Sequence, residues 1–161
     1  MIAKYSRLAL SALALGALAS PSSAEAGEVM AGAACDAGAP GSAPFMLRLT
    51  GTLANTANGA VNVYCPVIKD SGTSRILGAT VRVIDRNSSA DFSCTLATVR
   101  SNGTVQQFQT VRSTGSSPAP QSLTFSGQSA ASGGSYSLEC TMPAFIPGTN
   151  VSTLVNYTVV E

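Results

Sequence analysis

Four cysteines, at positions 35, 65, 94 and 140, are the residues of this chain whose chemistry is easiest to predict. In an exported protein an even number of cysteines is typical of disulfides, here two, for which three pairings are open. We favour Cys94–Cys140, because each residue lies in the middle of a predicted strand on its apolar face. Cys35–Cys65 would then tie the N-terminal segment to a strand. A zinc site is the alternative, but no two cysteines have the C-x₂₋₄-C spacing.

The chain contains no histidine. Ser-His-Asp and Cys-His sites and most zinc hydrolases require one, so these classes are excluded. A glycosidase instead needs two carboxylates held across a cleft. Asp70, Asp85 and Asp91 fall in or beside predicted turns. Glu139 points away from Cys140 on its strand. We therefore interpret the acids as solvated surface groups and expect no catalytic residue, with a carboxylate-based hydrolase as an alternative.

Two polar segments invite other chemistry. Lys69 could act in a Ser-Lys dyad, but it opens the polar turn KDSGTS, where it stays hydrated and protonated. Residues 85–91 carry oxygen-bearing side chains at alternate positions, as calcium loops do. An EF-hand loop needs Gly at its sixth position and Glu at its twelfth, where this chain has Ala90 and Leu96. A solvated turn is the better interpretation, and we expect no metal and no cofactor.

Residues 1–26 have the pattern of a cleaved secretory signal peptide. Lys4 and Arg7 precede an apolar run, and Ala24 and Ala26 supply the small residues of a cleavage site. A membrane anchor is the alternative, but the apolar run is shorter than the ~20 residues that a spanning helix needs. We therefore expect a secreted or periplasmic protein with no membrane contact after cleavage.

Charge argues against nucleic acid as a partner. Removing Lys4, Arg7 and Glu25 with the signal peptide leaves seven basic and seven acidic residues, a net charge of zero. Binding to nucleic acid depends largely on the neutralisation of phosphates by a basic surface. A neutral and sparsely charged chain with no basic cluster lacks that surface.

The stretch Asp91–Arg112 is the clearest structural signal. Phe92, Cys94 and Leu96 alternate with smaller residues, which predicts a strand with one buried face. The Asn102-Gly103 pair then predicts a type I′ turn into a second strand.

Comparable segments recur along the rest of the chain, with turn signals every ~8–12 residues. The predicted strands fall within residues 45–53, 61–67, 79–85, 91–112, 121–126, 136–142 and 151–160. About eight strands without a helix predict an all-β fold, an antiparallel β-sandwich of the Ig-like or jelly-roll-like kind, formed by residues 45–161 as one domain. Residues 27–44 are rich in Ala, Gly and Pro, which predicts a flexible arm.

The loop that contains Phe145 and Ile146 is unusually apolar. It either plugs one end of the sandwich or serves as a contact surface, since apolar loops often mark partners. Sandwiches that bind carbohydrate usually present exposed aromatic platforms. The chain has no tryptophan, and Phe108 and Phe145 are the aromatic residues that we expect to be exposed.

Several short motifs resemble a loose group of small secreted bacterial proteins that carry no assigned function. The motifs are Cys65-Pro66-Val67, Cys94-Thr95-Leu96, the segment from Leu138 to Pro143, and the terminal Tyr157–Glu161. The resemblance implies a disulfide-bonded β-domain and no activity. The terminal strand is also similar to that of fimbrial subunits, but two disulfides and an arm without alternating apolar residues fit donor-strand exchange poorly.

The sequence thus predicts a secreted, non-catalytic β-sandwich module that acts by binding or as a surface accessory protein, with an unknown ligand. The alternative is a structural subunit of an extracellular or fimbria-like assembly, which would use an edge strand or the Phe145-Ile146 loop. The partner is unknown, and both a protein partner and self-association are open.

Overall fold

A computed structural model describes residues 27–38, 46–68 and 75–161. The predicted signal peptide lies outside the described residues, as do Phe45 and the polar turn that Lys69 opens. Within the described ranges the chain forms eleven strands and one 3₁₀ turn, Gly32–Ala34. The strands are β1 Glu28–Ala31, β2 Asp36–Ala37, β3 Met46–Leu49, β4 Thr52–Asn55, β5 Val61–Cys65, β6 Ile76–Ile84, β7 Ser93–Val99, β8 Val105–Arg112, β9 Gln121–Gln128, β10 Ser135–Met142 and β11 Thr153–Val160.

The strands form two antiparallel sheets, as the sequence predicts. Sheet I has the order β3-β4-β11-β6-β9, with β1 also paired to β11. Sheet II has the order β2-β5-β10-β7-β8. The predicted β-sandwich is confirmed, and so are its two disulfides, which join Cys35 to Cys65 and Cys94 to Cys140.

The core lies between the sheets and is built by period-2 alternation. In β7 the buried residues Cys94, Leu96 and Thr98 alternate with half-buried neighbours that face outward. The other long strands contribute in the same way, and Tyr157 and Phe92 are among the largest side chains that are fully buried. Alternation of this kind is why the sandwich could be predicted from sequence.

The predicted flexible arm is wrong for residues 28–38. β1 pairs with β11, the chain then crosses between the sheets through Gly32–Ala34, and β2 pairs with β5. The physical reason is that strand pairing uses backbone groups, which small residues supply as well as large ones. Buried Met30 and the Cys35 disulfide hold the segment in place. Residues 39–44 of the arm lie outside the described residues.

The first predicted strand, residues 45–53, is instead a hairpin of β3 and β4. Thr50 and Gly51 join the two strands with φ of 41° and 87°, and Leu49 pairs with Thr52. Two positive φ angles in a two-residue loop are the pattern of a type I′ turn. This hairpin and the two strands of the arm account for most of the difference between eleven strands and about eight.

The prediction of a type I′ turn at Asn102-Gly103 is wrong, although the hairpin that it joins is present. Of the two residues in this pair, only Gly103 has a positive φ, 82°. Gly103 N–H donates to Arg100 O at 2.9 Å, and Arg100 N–H donates to Thr104 O at 2.9 Å. These bonds make a three-residue loop closed by a glycine in the left-handed region. The β7–β8 register shifts at Thr98/Val99, so β8 contains a bulge beside the turn.

Candidate functional site

Asp85 is the acid that departs most from the sequence prediction. It was expected to be solvated beside a turn, but it is fully buried. One carboxylate oxygen, Oδ2, accepts from Phe92 N–H at 2.9 Å and Ser113 Oγ at 2.6 Å. The other, Oδ1, accepts from Asn87 N–H at 3.0 Å and Ser152 Oγ at 3.3 Å. Four donors satisfy this carboxylate, so it joins the connections that follow β6, β8 and β10 at one end of the sandwich and is not open to a substrate.

Asn87, in the stretch considered for calcium, is also used internally. Oδ1 of Asn87 accepts from Ser89 N–H at 2.7 Å and from Ala90 N–H at 2.8 Å, and Nδ2 donates to Ala144 O at 2.8 Å. Within residues 27–38, 46–68 and 75–161, no three His, Cys, Asp or Glu side chains group as metal ligands would. The segment therefore acts as a hydrogen-bonded loop that ties β6 to β7.

Three other acids, Asp91, Asp36 and Glu139, lie toward the outside of the sandwich. Asp91 is exposed, and its Oδ1 accepts from Gly115 N–H at 3.2 Å. Asp36 and Glu139 lie on either side of Tyr64 in neighbouring strands, on the outer face of sheet II. The Glu139 carboxylate raises the pKa of Tyr64 by its charge and by a hydrogen bond. A flat sheet face does not hold these two carboxylates across a cleft, as hydrolysis of a glycoside would need. Asp70 lies outside the described residues.

The cysteines are all used in disulfides. Cys94 and Cys140 are direct partners in the β7–β10 pair, so this bond lies within sheet II. Cys35 follows the 3₁₀ turn and binds Cys65 at the end of β5. None of the four is a free thiol. Their role is therefore to hold strands together, and they supply no thiolate for zinc or for catalysis.

The loop predicted as a plug or a contact is neither fully buried nor exposed. Phe145 and Ile146 are both half-buried. Backbone hydrogen bonds fix the loop, from Phe145 N–H to Ala57 O at 2.8 Å and from Thr149 N–H to Ile146 O at 3.0 Å. The large exposed apolar side chains lie elsewhere.

The most exposed of these apolar side chains stands on β8, at the margin of sheet II. Phe108 is 68% exposed and Val105 is 54% exposed. Phe108 lies opposite Ala97 and Val105 lies opposite Val99, so all four face outward from the sandwich. We call these four residues the β8 patch. Clusters of exposed apolar side chains on a folded protein commonly mark contact sites.

The backbone of β8 has an open edge as well. Ser113 N–H donates to Phe92 O at 2.9 Å, so the backbone N–H of Ser113, just after β8, points toward the strand that contains β7. In an antiparallel ladder hydrogen-bonded and non-hydrogen-bonded pairs alternate, so Val111 and Gln109 also direct their backbone groups toward β7. The backbone N–H and C=O groups of Phe108, Thr110 and Arg112 therefore point away from β7, at the margin of the sheet.

The edge of β9, the margin of sheet I beside β8, is partly covered by side chains of β8. Oε1 of Gln109 accepts from Ser126 N–H at 2.9 Å and from Ser126 Oγ at 3.0 Å. Oε1 of Gln107 accepts from Ser129 N–H at 3.3 Å. Both glutamines point inward from β8 and occupy N–H groups to which another strand could add. β8 carries no lysine or proline to protect its edge, its bulge lies at the turn end of the strand, and its one charged residue is the last, Arg112.

An open depression of about 320 Å³ lies at the end of the sandwich opposite Asp85, where β6 begins and β9 ends. It is lined by Arg75, Ile76, Leu77, Gly127, Gln128 and Ser129. The side chain of Gln128 is already used, since Nε2 donates to Leu96 O at 2.8 Å and Oε1 accepts from Thr98 Oγ1 at 2.9 Å. Gln128 is therefore not free to bind a ligand in this depression.

Comparison with known proteins gives the fold little context. No protein-family model and no curated protein matches the chain. Among solved structures it is similar to an arabinose-bound GH51 α-L-arabinofuranosidase, with 14% identity and a TM-score of 0.43 over 78% of this chain and 22% of the enzyme. The chain thus spans about a fifth of that enzyme, and the likeness carries no functional argument. In the described part of the chain no helix is long and apolar enough to cross a membrane.

Sequence reasoning found one member of the candidate site and missed the others. Phe108 was expected to be exposed, and it is. Val105 faces outward with it because the bulge shifts the alternation by one residue, which no sequence pattern indicates. Tyr64, 46% exposed, alternates with buried Val63 and Cys65, so its exposure could have been predicted.

Proposed function

We propose that this protein is an exported, non-catalytic β-sandwich module that works by binding, and that the β8 patch is its binding surface. The observation that carries the proposal is the exposure of Phe108 and Val105 on a strand whose outer edge is unprotected. An edge strand that carries an exposed aromatic side chain and no charge from Val105 to Val111 is an aggregation hazard unless a partner covers it. A contact function explains why the hazard is retained.

Export is supported by the signal-like residues 1–26 and by the two disulfides, which form and persist in oxidising compartments. The non-catalytic part rests on the lack of histidine and on Asp85, whose buried carboxylate is occupied by four donors. The zero net charge of the chain after residue 26 and the apolar character of the patch fit a protein surface better than a nucleic acid.

A structural subunit of an extracellular assembly is the second candidate, and the open edge of β8 is the observation that favours it. Strand addition at such an edge joins subunits through backbone hydrogen bonds. The Phe145-Ile146 loop is the weaker contact surface, because its side chains are half-buried and its backbone is tied to Ala57.

The binding surface can be tested by site-specific photo-crosslinking in cells that export the protein. Phe108→p-benzoylphenylalanine places the crosslinker on the β8 patch. Thr124→p-benzoylphenylalanine places it at an exposed site on the outer face of sheet I, as a matched control. We expect discrete adducts from position 108 that position 124 does not give. Equal adducts, or none, from the two positions would contradict the proposal.

A further inference from the structure

We infer that the partner of the β8 edge is a second copy of this chain, joined by antiparallel pairing of β8 with β8 about a two-fold axis through Thr110. This inference deepens the proposed function, on which it rests. The joined sheet would continue from β2 of one copy to β2 of the other, without a break at the two β8 strands.

The register follows from the backbone of β8. The outward N–H and C=O groups belong to Phe108, Thr110 and Arg112, as the Ser113–Phe92 hydrogen bond requires. The bulge between Val105 and Gln107 ends the regular ladder on one side, and β8 ends at Arg112 on the other. Thr110 is the midpoint of the three outward residues. Antiparallel pairing centred there lets all the outward groups of both copies bond with each other.

The side chains of β8 are self-complementary in this register. Thr110 lies beside Thr110 of the second copy, and Phe108 of each copy lies opposite Arg112 of the other. All three side chains face outward, because their β7 partners Ser93, Thr95 and Ala97 face outward too. A guanidinium beside an aromatic face gains a cation–π interaction. The two Arg112 side chains lie well apart, which avoids repulsion between like charges.

The other margins of the two sheets match β8 less well. At the β9 edge, side chains of the same copy already occupy two N–H groups, those of Ser126 and of Ser129 just after the strand. β2 is two residues long and β1 and β3 are four residues each, too short to pair along the length of β8. Two copies of β8 are equal in length and uncharged from Val105 to Val111, so the outward backbone N–H and C=O groups of each copy can bond with those of the other. A two-fold contact also closes on itself, which limits the assembly to a dimer.

The test is sedimentation velocity of the oxidised exported chain over a concentration series, with a matched pair of variants. Thr110→Pro removes an outward N–H that the β7–β8 ladder does not use. Thr110→Val keeps that N–H and, like the proline variant, loses the hydroxyl that lies 2.8 Å from Thr95 Oγ1. We expect a monomer–dimer equilibrium whose dissociation constant rises at least about tenfold in Thr110→Pro and less than about threefold in Thr110→Val.

Amide hydrogen exchange of the unaltered chain, followed residue by residue by NMR, gives a test that needs no variant. In dilute solution the amides of Phe108, Thr110 and Arg112 should exchange quickly while those of Gln109 and Val111 are protected. At dimer-forming concentration the first three should become protected as well.

A monomer at every concentration, or equal dimerisation of the two variants, would overturn the inference. A monomer that still gives a discrete photo-adduct with another protein from position 108 would overturn the second-copy partner and leave the proposed function standing. A monomer with no adduct would overturn both.

Discussion

Asp85 shows how one residue can organise several elements without doing chemistry. Its two carboxylate oxygens receive backbone N–H groups from Asn87 and Phe92 and hydroxyl groups from Ser113 and Ser152. These donors belong to the connections that follow β6, β8 and β10. A buried charge is tolerated only when its hydrogen bonds are made. The carboxylate is therefore a structural tie at one end of the sandwich.

Replacing this carboxylate should be costly. Asp85→Asn keeps the size of the side chain but turns one acceptor oxygen into a donor amide, which leaves buried donors without an acceptor. We expect the free energy of unfolding to fall by roughly 2–4 kcal/mol. Asp91→Asn is the matched control, because Asp91 is exposed, and it should cost less than about 0.5 kcal/mol. Equal losses in urea unfolding would show that Asp85 is no such tie.

Tyr157 links residue chemistry to alkaline stability. Its hydroxyl donates to Pro66 O at 2.7 Å. Burial, with a smaller effect from the Glu28 carboxylate, raises the pKa of Tyr157 to about 12. The unfolded value is about 10, so the folded state holds this proton more tightly. The stabilisation is complete below pH ~10 and is lost as the pH rises from ~10 through ~12.

The variant Tyr157→Phe should separate the hydrogen bond from the titration. At neutral pH it loses about 1 kcal/mol with the bond to Pro66. Between pH ~9 and pH ~11 its stability should decline less steeply than that of the unaltered protein, because Tyr157 no longer ionises on unfolding. Urea midpoints at both pH values provide the measurement. Parallel declines would mean that Tyr157 does not contribute to the alkaline loss.

At the scale of elements, the crossing segment depends on a close backbone approach. Gly32 lies against β11, and a Cβ there would overlap Leu154 O and lie 2.6 Å from Leu154 Cδ2. Gly32→Ala must push the segment away from β11 and should cost about 1–3 kcal/mol in thermal or urea unfolding. Gly59→Ala, where a Cβ meets nothing within 4 Å, should cost nothing measurable. Similar behaviour of the two variants would contradict the ordered arm.

How far an element could be predicted depended on whether its signal lies in the side chains. The alternation of Cys94 and Leu96 with smaller residues specifies β7 directly, and the strand is where that pattern places it. β1 and β2 were not predicted, because small residues such as Ala pair through the backbone and leave no alternating apolar pattern in the sequence. The sequence predicts a type I′ turn at Asn102-Gly103. The two positive φ angles of such a turn occur instead at Thr50-Gly51, a pair that lacks the Asn-Gly signal.

The candidate site was harder to predict than the fold for a related reason. The burial of Asp85 depends in part on two distant residues, Ser113 and Ser152, that donate to its carboxylate, and no local sequence pattern indicates that they come together. The outward direction of Val105 depends on a bulge. By contrast, Cys94–Cys140 followed from two mid-strand cysteines on apolar faces, because strands that share a core face can become neighbours.

At the scale of the whole molecule, the two disulfides should make similar contributions to the free energy of unfolding, although they join different regions. Cys35–Cys65 closes a separation of 30 residues and Cys94–Cys140 one of 46. In the chain-entropy account the cost of closure changes slowly with loop length, so the two bonds should contribute similarly, roughly 3–4 kcal/mol each. The double variants Cys35→Ala/Cys65→Ala and Cys94→Ala/Cys140→Ala should therefore show similar losses in urea unfolding. A difference of more than about 2 kcal/mol would contradict this balance.

The central claim is that the molecule keeps Phe108 on its surface for contact and not for stability. The most direct measurement compares Phe108→Ser with the unaltered chain in urea unfolding and in sedimentation velocity. Because the ring is 68% exposed, the free energy of unfolding should change by less than about 0.5 kcal/mol, while self-association weakens at least about tenfold. Unchanged association, or a stability loss like that of a core residue, would contradict the account.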